Sequence, residues 1–461
     1  MDSINKPLQF PTLRGLVSGP QSLLTPLHLG ALCVALGVLT PIIALIWQAT
    51  QADLSHWGNL LTYVLPAALK NTVLLLAGVA VMVGVIGVGS AWAVTAWDFP
   101  GRKILSWALL LPLAMPTYIV AFAWLDLLHP IGPLQTFIRF LLGFDSPRQF
   151  RLPDLRSLSG AIILLGLVLY PYVYLTTRAM FISQPAHLLE AARTLGCSAT
   201  GTFFRVALPM ARPALAVGIS LALLETLNDI GASEFLGVQT LTVTVYTTWI
   251  SRSDLSAAAQ IACMMLMFIF LILTLEFYGR RKQGFSSRSL REIQPTRVQG
   301  WRGWLLGGVI SLPVLLGFLA PVLFLMWESA KRIGDENPLS SSLLSSLQNT
   351  LSLAAGTTLV VVCVSMLVAW SARHSAADNA MPGFRRGVMR LASLGYAVPG
   401  TILAIGFLTP AMAVDRWLAD LLDVRGLPLM SAGILLVICC AMRFQAIAIG
   451  ALDSGLGRIP P

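Results

Sequence analysis

The chain has 461 residues, of which 56% are hydrophobic and only 11% charged, against roughly 25% charged in a typical soluble domain. With a mean hydropathy of +0.76, that balance excludes a string of soluble domains. It implies an all-α polytopic membrane protein, since each bilayer-spanning helix needs about 20 largely apolar residues.

The formal charge of +10 is read as basic residues holding loops at the membrane surface, so a lipid bilayer is expected as partner and nucleic acid is not. The polar stretch from Met1 to Leu27 carries four prolines, and the first apolar run after it is expected to act as the targeting signal. Ten spans are predicted, near 27–49, 69–97, 103–128, 159–182, 213–237, 257–278, 304–328, 347–372, 387–412 and 429–451. A cytoplasmic N-terminus leaves 21 of the 31 Lys and Arg residues on the cytoplasmic side or its edges, as the positive-inside rule favours. The six cysteines show no C-x-x-C or Cys/His spacing, and the five histidines are scattered; neither a disulfide framework nor a metal site is expected.

In the fourth span Tyr170, Tyr172 and Tyr174 attract notice because phenolates bind ferric iron, but tyrosines packed around Pro171 account for them better. The next loop runs from Gln184 to Pro209. Pro185 opens a short helix, Leu188, Leu189, Ala192 and Leu195 form an apolar stripe at helical spacing, and Glu190 suits the helix dipole. Gly196 takes a left-handed cap, Ser198 caps a second short helix, and Pro209 is expected to help stop that helix before the next span. Further on come Glu225, Asn228 and Asp229, the two carboxylates at i and i+4 on one face. A carboxylate deep in a span faces a pathway or a partner. Two readings stand side by side: a polar lining or gate where the helix loosens at Gly231, or a structural network that never meets substrate.

Residues 279–302 hold seven basic residues and no apolar run and form a basic cytoplasmic linker. It divides a tail, first helix and outer loop (1–66) and a first unit (67–278) from a second unit (303–461). Leu69-Lys70-Asn71-Thr72 recurs as Leu347-Gln348-Asn349-Thr350, Ala77-Gly78 recurs as Ala355-Gly356, and Pro116 has a looser counterpart in Pro399. Six spans apart, the copies run the same way, as two parallel repeats. Arg443, in the last apolar stretch, either snorkels to the interface or marks the pathway.

The loop resembles the EAA loop of ATP-binding-cassette (ABC) importer permeases: Glu-Ala-Ala, three residues, Gly, nine residues, then Ile-x-Leu-Pro. Glu190, Ala191, Ala192, Gly196, Val206, Leu208 and Pro209 fall on every position, with Val for Ile the one change. The resemblance implies the type I ABC-importer permease fold and no enzyme activity in this chain. It implies ATPase subunits at the cytoplasmic face, docked through the first short helix, and a periplasmic substrate-binding protein. It also implies no cofactor in this chain, ATP and Mg being bound by the partner ATPase, and residence in the bacterial inner membrane. No lysine follows a glycine, so a G-x-x-x-x-G-K-[ST] phosphate loop is absent. From Asn228 to Arg281 the chain looks like the fused two-unit permeases of ferric-iron importers, which implies ferric iron as substrate. Thiamine, polyamine and sulfate permeases share the loop, and an ion-gradient-driven secondary transporter is the reading from another class. Ile459-Pro460-Pro461 lies on Gln184-Pro185-Ala186 in the repeat. The sequence therefore stops about four residues before a second Glu-Ala-Ala is due, and the second repeat is expected to be incomplete, a truncated product lacking one coupling loop and two spans.

Overall fold

The computed structural model describes residues 26–51, 58, 60–184, 186–280, 295–334, 341–377, 382–396, 398–423, 430 and 433–456. The N-terminal tail, Pro185, most of the basic linker and the last five residues, on which several expectations fall, lie outside the described residues. Among the described residues nine helices are long and apolar enough to cross a membrane. A tenth crossing is made if the bent pair Arg102–Ala114 and Thr117–Leu127, 93° apart, is one span.

The helices are α1 (Pro26–Thr50), α2 (Leu65–Ala96), α3 (Arg102–Ala108), α4 (Thr117–Leu127), α5 (Pro133–Leu142), α6 (Leu158–Ser183), α7 (Ala186–Thr194), α8 (Ala199–Thr202), α9 (Leu208–Asn228), α10 (Gly231–Phe235), α11 (Leu241–Ile250) and α12 (Leu255–Arg280). They continue with α13 (Trp301–Val314), α14 (Ala320–Gly334), α15 (Ser341–Ala377), α16 (Pro382–Ser393), α17 (Gly400–Leu422) and α18 (Ile434–Leu456).

Three predicted spans differ in shape. The third, expected as one helix over 103–128, breaks at Met115-Pro116, where both backbones are extended (ψ 125° and 133°). Proline has no N–H to donate and disfavours the helical region for the residue before it. The ninth, expected over 387–412, is found as α17 alone, which starts at Gly400 after Pro399 (ψ 142°) and runs on to Leu422, while α16 and a 3₁₀ turn (Leu394–Tyr396) are separate elements before it. The fifth, expected over 213–237, is helical from Ala199 and ends at Asn228. Pro209 therefore does not stop a helix. A π-helical turn, Phe203–Ala207, precedes it, and the Leu208 N–H reaches back to the Phe203 carbonyl. The wider turn leaves room for the proline ring that would crowd a carbonyl four residues back. The linker also carries order at its end: Thr296–Arg297 pairs in parallel with Trp97–Asp98 as a two-residue ribbon.

By its contacts the chain forms two compact units, one within Pro41–Leu351 and Ala397–Leu427, the other within Met1–Thr40, Ser352–Tyr396 and Pro428–Pro461. In the first, α2 and α6 pack so closely that a Cβ on Gly87 would lie 2.7 Å from the Val173 Cβ and 2.9 Å from the Tyr174 nitrogen. Gly78 meets Ile162, and Gly166 meets Met82, at similar range. In a membrane, where apolar side chains gain little by leaving lipid, such small-residue contacts supply helix association through dispersion. A second cluster there joins Leu45, Leu65, Leu227, Ile261 and Ile402, all buried. The repeated Asn71-Thr72 pair ties α2 to the start of α11. Asn71 Nδ2 donates to the Gln239 carbonyl at 3.1 Å, and Thr72 Oγ1 accepts from Leu241 N–H at 2.9 Å. In the second unit Ala31, Val368, Val388 and Ile449 are buried together. There Gln445 Nε2 donates to the Ala392 carbonyl at 2.7 Å, and Arg373 Nη1 to the Leu456 carbonyl at 2.9 Å.

Candidate functional site

Past Pro185 the loop after α6 folds as a helical knob. Its first helix, α7, holds Glu190, Ala191 and Ala192, and ends in a paired C-terminal cap: Gly196 N–H donates to the Arg193 carbonyl and Cys197 N–H to the Ala192 carbonyl, both at 3.0 Å. This 6→1 closure needs a left-handed residue, and Gly196 has φ +85°. Ser198 then caps the next helix, its Oγ accepting from Gly201 N–H at 3.1 Å.

The stripe of Leu188, Leu189, Ala192 and Leu195 divides in two. Leu189 is buried in the bundle core and Ala192 is half-buried, whereas Leu195 is 85% exposed and Leu188 lies at the exposed edge. Glu190, Ala191 and Gly196 are exposed. The knob thus offers a small, partly apolar surface while Leu189 fastens it from beneath. Val206, Leu208 and Pro209 lie on the return path, half-buried.

The base of the knob was not foreseen. Gln184 is 2% exposed, and its Nε2 donates to the Ala207 carbonyl at 3.0 Å, tying the start of the loop to its end. The Trp92 ring packs against Phe181 (5.3 Å between centroids) and Phe203 (5.2 Å). Gln184 was legible only as a polar residue at the edge of a span; its burial depends on α9 returning beside α6.

At the other candidate site, α9 ends at Asn228, and Asp229 leaves the helix with ψ 102°. The shared face expected for Glu225 and Asp229 is therefore broken, and the break falls at Asp229-Ile230, not at Gly231. The Asp229 carboxylate accepts from Ala232 N–H at 2.8 Å and is hydrogen-bonded to the Thr117 side chain at the start of α4. The breaks in two spans thus meet each other. A Cβ on Gly231 would lie 2.8 Å from Tyr118 Cβ, and Phe122 stacks edge-on against Phe235 with centroids 6.5 Å apart. Glu225 is half-buried one turn before the break. Asn228 Oδ1 and Ser233 Oγ are buried with no hydrogen-bond partner among the described residues, which marks the junction as polar and incompletely satisfied there. Thr117, Tyr118 and Ser233 gave no signal of their own; Pro116 beside them was the one cue.

Tyr170 and Tyr174 are fully buried, and the Tyr174 hydroxyl donates to the Ser106 carbonyl at 2.9 Å, so Tyr174 ties α6 to α3. Arg443 lies on α18, its guanidinium carbon 5.8 Å from the Phe444 ring centroid.

Residues 84–282 match the family described as "Binding-protein-dependent transport system inner membrane component". This segment, which holds the knob and the α9–α10 break, is similar to the ABC permeases and has the fold of that family. The sulfate transport system permease protein CysT of Salmonella typhimurium is 29% identical over 264 residues, covering 55% of this chain and 92% of that one. The Fe(3+)-transport system permease protein FbpB 2 of Haemophilus influenzae is 26% identical over 384 residues, covering 81% of this chain and 69% of its own. Among solved structures, a bacterial alginate ABC transporter crystallised with an alginate-bound periplasmic protein aligns with a TM-score of 0.45 and 18% identity, over 53% of this chain and 90% of its own.

Proposed function

We propose that this chain is the permease subunit of an ABC importer, that α7 docks on a separate ATPase subunit which binds ATP and Mg, and that a periplasmic binding protein delivers the substrate. One observation carries this reading: within the segment that matches the permease family, Glu190, Ala191 and Ala192 lie on a short helix that exposes Glu190 and Ala191, is closed by a cap at Gly196 and is anchored by buried Leu189. A rigid helix of that kind transmits a push from a docked partner to α6 and α9, where a loose loop would absorb it. The N-terminus faces the cytoplasm in this reading, on the strength of the Lys and Arg distribution.

For the substrate we favour ferric iron. The alignment with the Haemophilus influenzae iron permease takes in 81% of this chain, so it must cross the basic linker and include residues of both halves. The Salmonella typhimurium sulfate permease is matched over 92% of its own length by only 55% of this chain. Sulfate is the second reading, because that relative has the slightly higher identity. In the proposed pathway Glu225 and Asn228 line the route, while Asp229 holds the break in shape.

The test is uptake of radioactive iron and radioactive sulfate in cells expressing this chain with the ATPase and binding protein of its own operon. ATP-dependent iron uptake that survives an uncoupler is expected. Sulfate uptake alone would move the chain to the second reading, and uptake abolished by the uncoupler with ATP still present would overturn the importer class.

A further inference from the structure

Two adjoining cavities lie where α6 begins, one lined almost wholly by apolar side chains and the other by apolar and polar side chains together. One, of about 280 Å³, is walled by Val120, Trp124 and Leu128 of α4 and its end, by Gly160, Ile163, Leu164 and Leu167 of α6, and by Leu316. The other, of about 190 Å³, is edged by His129, Gln135, Arg151 and Arg156. They share Leu128, Pro153, Asp154 and Leu155.

The geometry points to a binding site for one phospholipid with an anionic headgroup, its phosphate in the basic cavity and an acyl chain in the apolar cleft. The wall residues explain why a chain fits. Val120, Trp124 and Leu128 recur every four residues, and Gly160, Ile163, Leu164 and Leu167 fall at i, i+3, i+4 and i+7, so each helix turns one continuous stripe to the cleft. At 1.5 Å per residue, the α6 stripe runs about 10 Å along the span from its capped first turn. Trp124 contributes only its apolar ring, because its indole N–H is already donated to the Leu316 carbonyl at 3.0 Å.

The polar cavity sits at the level where that span starts. Ser157 caps α6, accepting from Gly160 N–H at 3.1 Å, so the preceding residues lie at the membrane edge, where lipid headgroups are. The Arg151 and Arg156 residues are exposed. Asp154 offsets part of their charge: its Oδ2 lies 3.5 Å from Arg151 Nη2, and its Oδ1 accepts from the Arg156 backbone N–H, not from its guanidinium. Two guanidiniums against one carboxylate leave a net positive edge, which complements a phosphate.

The exposed helix α5 sits beside this site in the chain and has the amphipathic form of an element lying in the interface. Phe137, Phe140 and Leu141 are exposed, while Gln135 and Arg139 are buried. Gln135 bridges the two sides of the polar cavity, donating to the Leu128 carbonyl at 2.6 Å and accepting from Leu152 N–H at 3.2 Å. An apolar outside over a polar inside is the reverse of a water-facing helix, and places this region against lipid.

Native mass spectrometry of the detergent-purified full chain tests the assignment, with phosphatidylglycerol and phosphatidylcholine added in turn. One phosphatidylglycerol should be retained about tenfold more tightly than phosphatidylcholine. The double variant R151Q/R156Q, altered at exposed positions and checked for unchanged thermal unfolding, should lose that preference. Ile163→Trp, which fills the cleft, should weaken retention of both lipids. Equal retention of the two headgroups by the unaltered chain would overturn the proposal. So would displacement of the lipid by millimolar inorganic phosphate, which would make the basic cavity a site for free phosphate. An R151Q/R156Q variant that keeps the lipid preference but loses association with a periplasmic binding protein would reassign the cavity to protein docking.

Discussion

Gly196→Val addresses the coupling knob most directly. Gly196 sits at φ +85° with nothing within 4 Å of the position a Cβ would take, so a substitution meets no neighbour and its whole cost is in the backbone. An L-residue held in the left-handed region costs about 1–2 kcal/mol, and a β-branched one stands at the upper end. If the backbone instead relaxes, the cap bonds from Gly196 and Cys197 to Arg193 and Ala192 are lost at about 1 kcal/mol each. Either route costs about 2 kcal/mol, roughly a thirtyfold fall in the population of the closed cap. Asparagine tolerates the same conformation, so Gly196→Asn should retain most function, Gly196→Ala less and Gly196→Val least. The assay is ATP-driven uptake by proteoliposomes holding the chain, its ATPase and binding protein, with ATPase affinity measured in detergent. Wild-type uptake by the valine variant, or equal damage from asparagine and valine, would refute the reasoning.

Other outcomes follow from the same geometry. Ala191→Arg, on the exposed side of α7, should abolish ATPase docking while membrane insertion, read by fractionation, is unchanged; Ala192→Arg should damage uptake and also lower thermal stability, because Ala192 is half-buried. Gln184→Leu should remove the bond to the Ala207 carbonyl that ties the start of the loop to its end and cost about 0.5–1.5 kcal/mol of stability, measured by thermal unfolding in detergent. Cysteine at Glu225 in a cysteine-free background should react with a small charged thiol reagent, and cysteine at Asp229 should not; the reverse pattern would exchange the roles proposed for them. Gly231→Val should collide with Tyr118 and reduce uptake at least tenfold, and a normal rate would show that the α4–α10 contact is dispensable.

Much of this protein is legible along the chain, and the physical reason is locality. Whether a stretch crosses a membrane depends on the summed transfer free energy of about 20 consecutive side chains, so among the described residues all ten predicted spans have helical counterparts, the third of them bent and the ninth shifted toward Leu422. The knob from Ala186 to Ser198 is equally local: its register, its glycine cap and its serine cap are satisfied within the loop itself, and the expected Gly196 and Ser198 conformations are found.

What the chain did not disclose is whatever needs a second element at a particular place. Pro116 and Pro399 were visible as prolines, but a proline can kink, cap or break a helix. The 93° bend, which brings α4 to pack on α10, is a tertiary arrangement that the proline alone does not specify. Pro209 looked like a stop signal and instead sits in a continuous helix, since a π turn before it absorbs the ring. Glu225 and Asp229 share a face only on an unbroken helix; tertiary structure ends α9 at Asn228 and pairs Asp229 with Thr117, more than a hundred residues away. Gln184 became a clasp only because α9 brings the Ala207 carbonyl back to it. Helical period and hydropathy are properties of neighbouring residues, whereas the partner of a buried polar atom is chosen by the packing of distant ones.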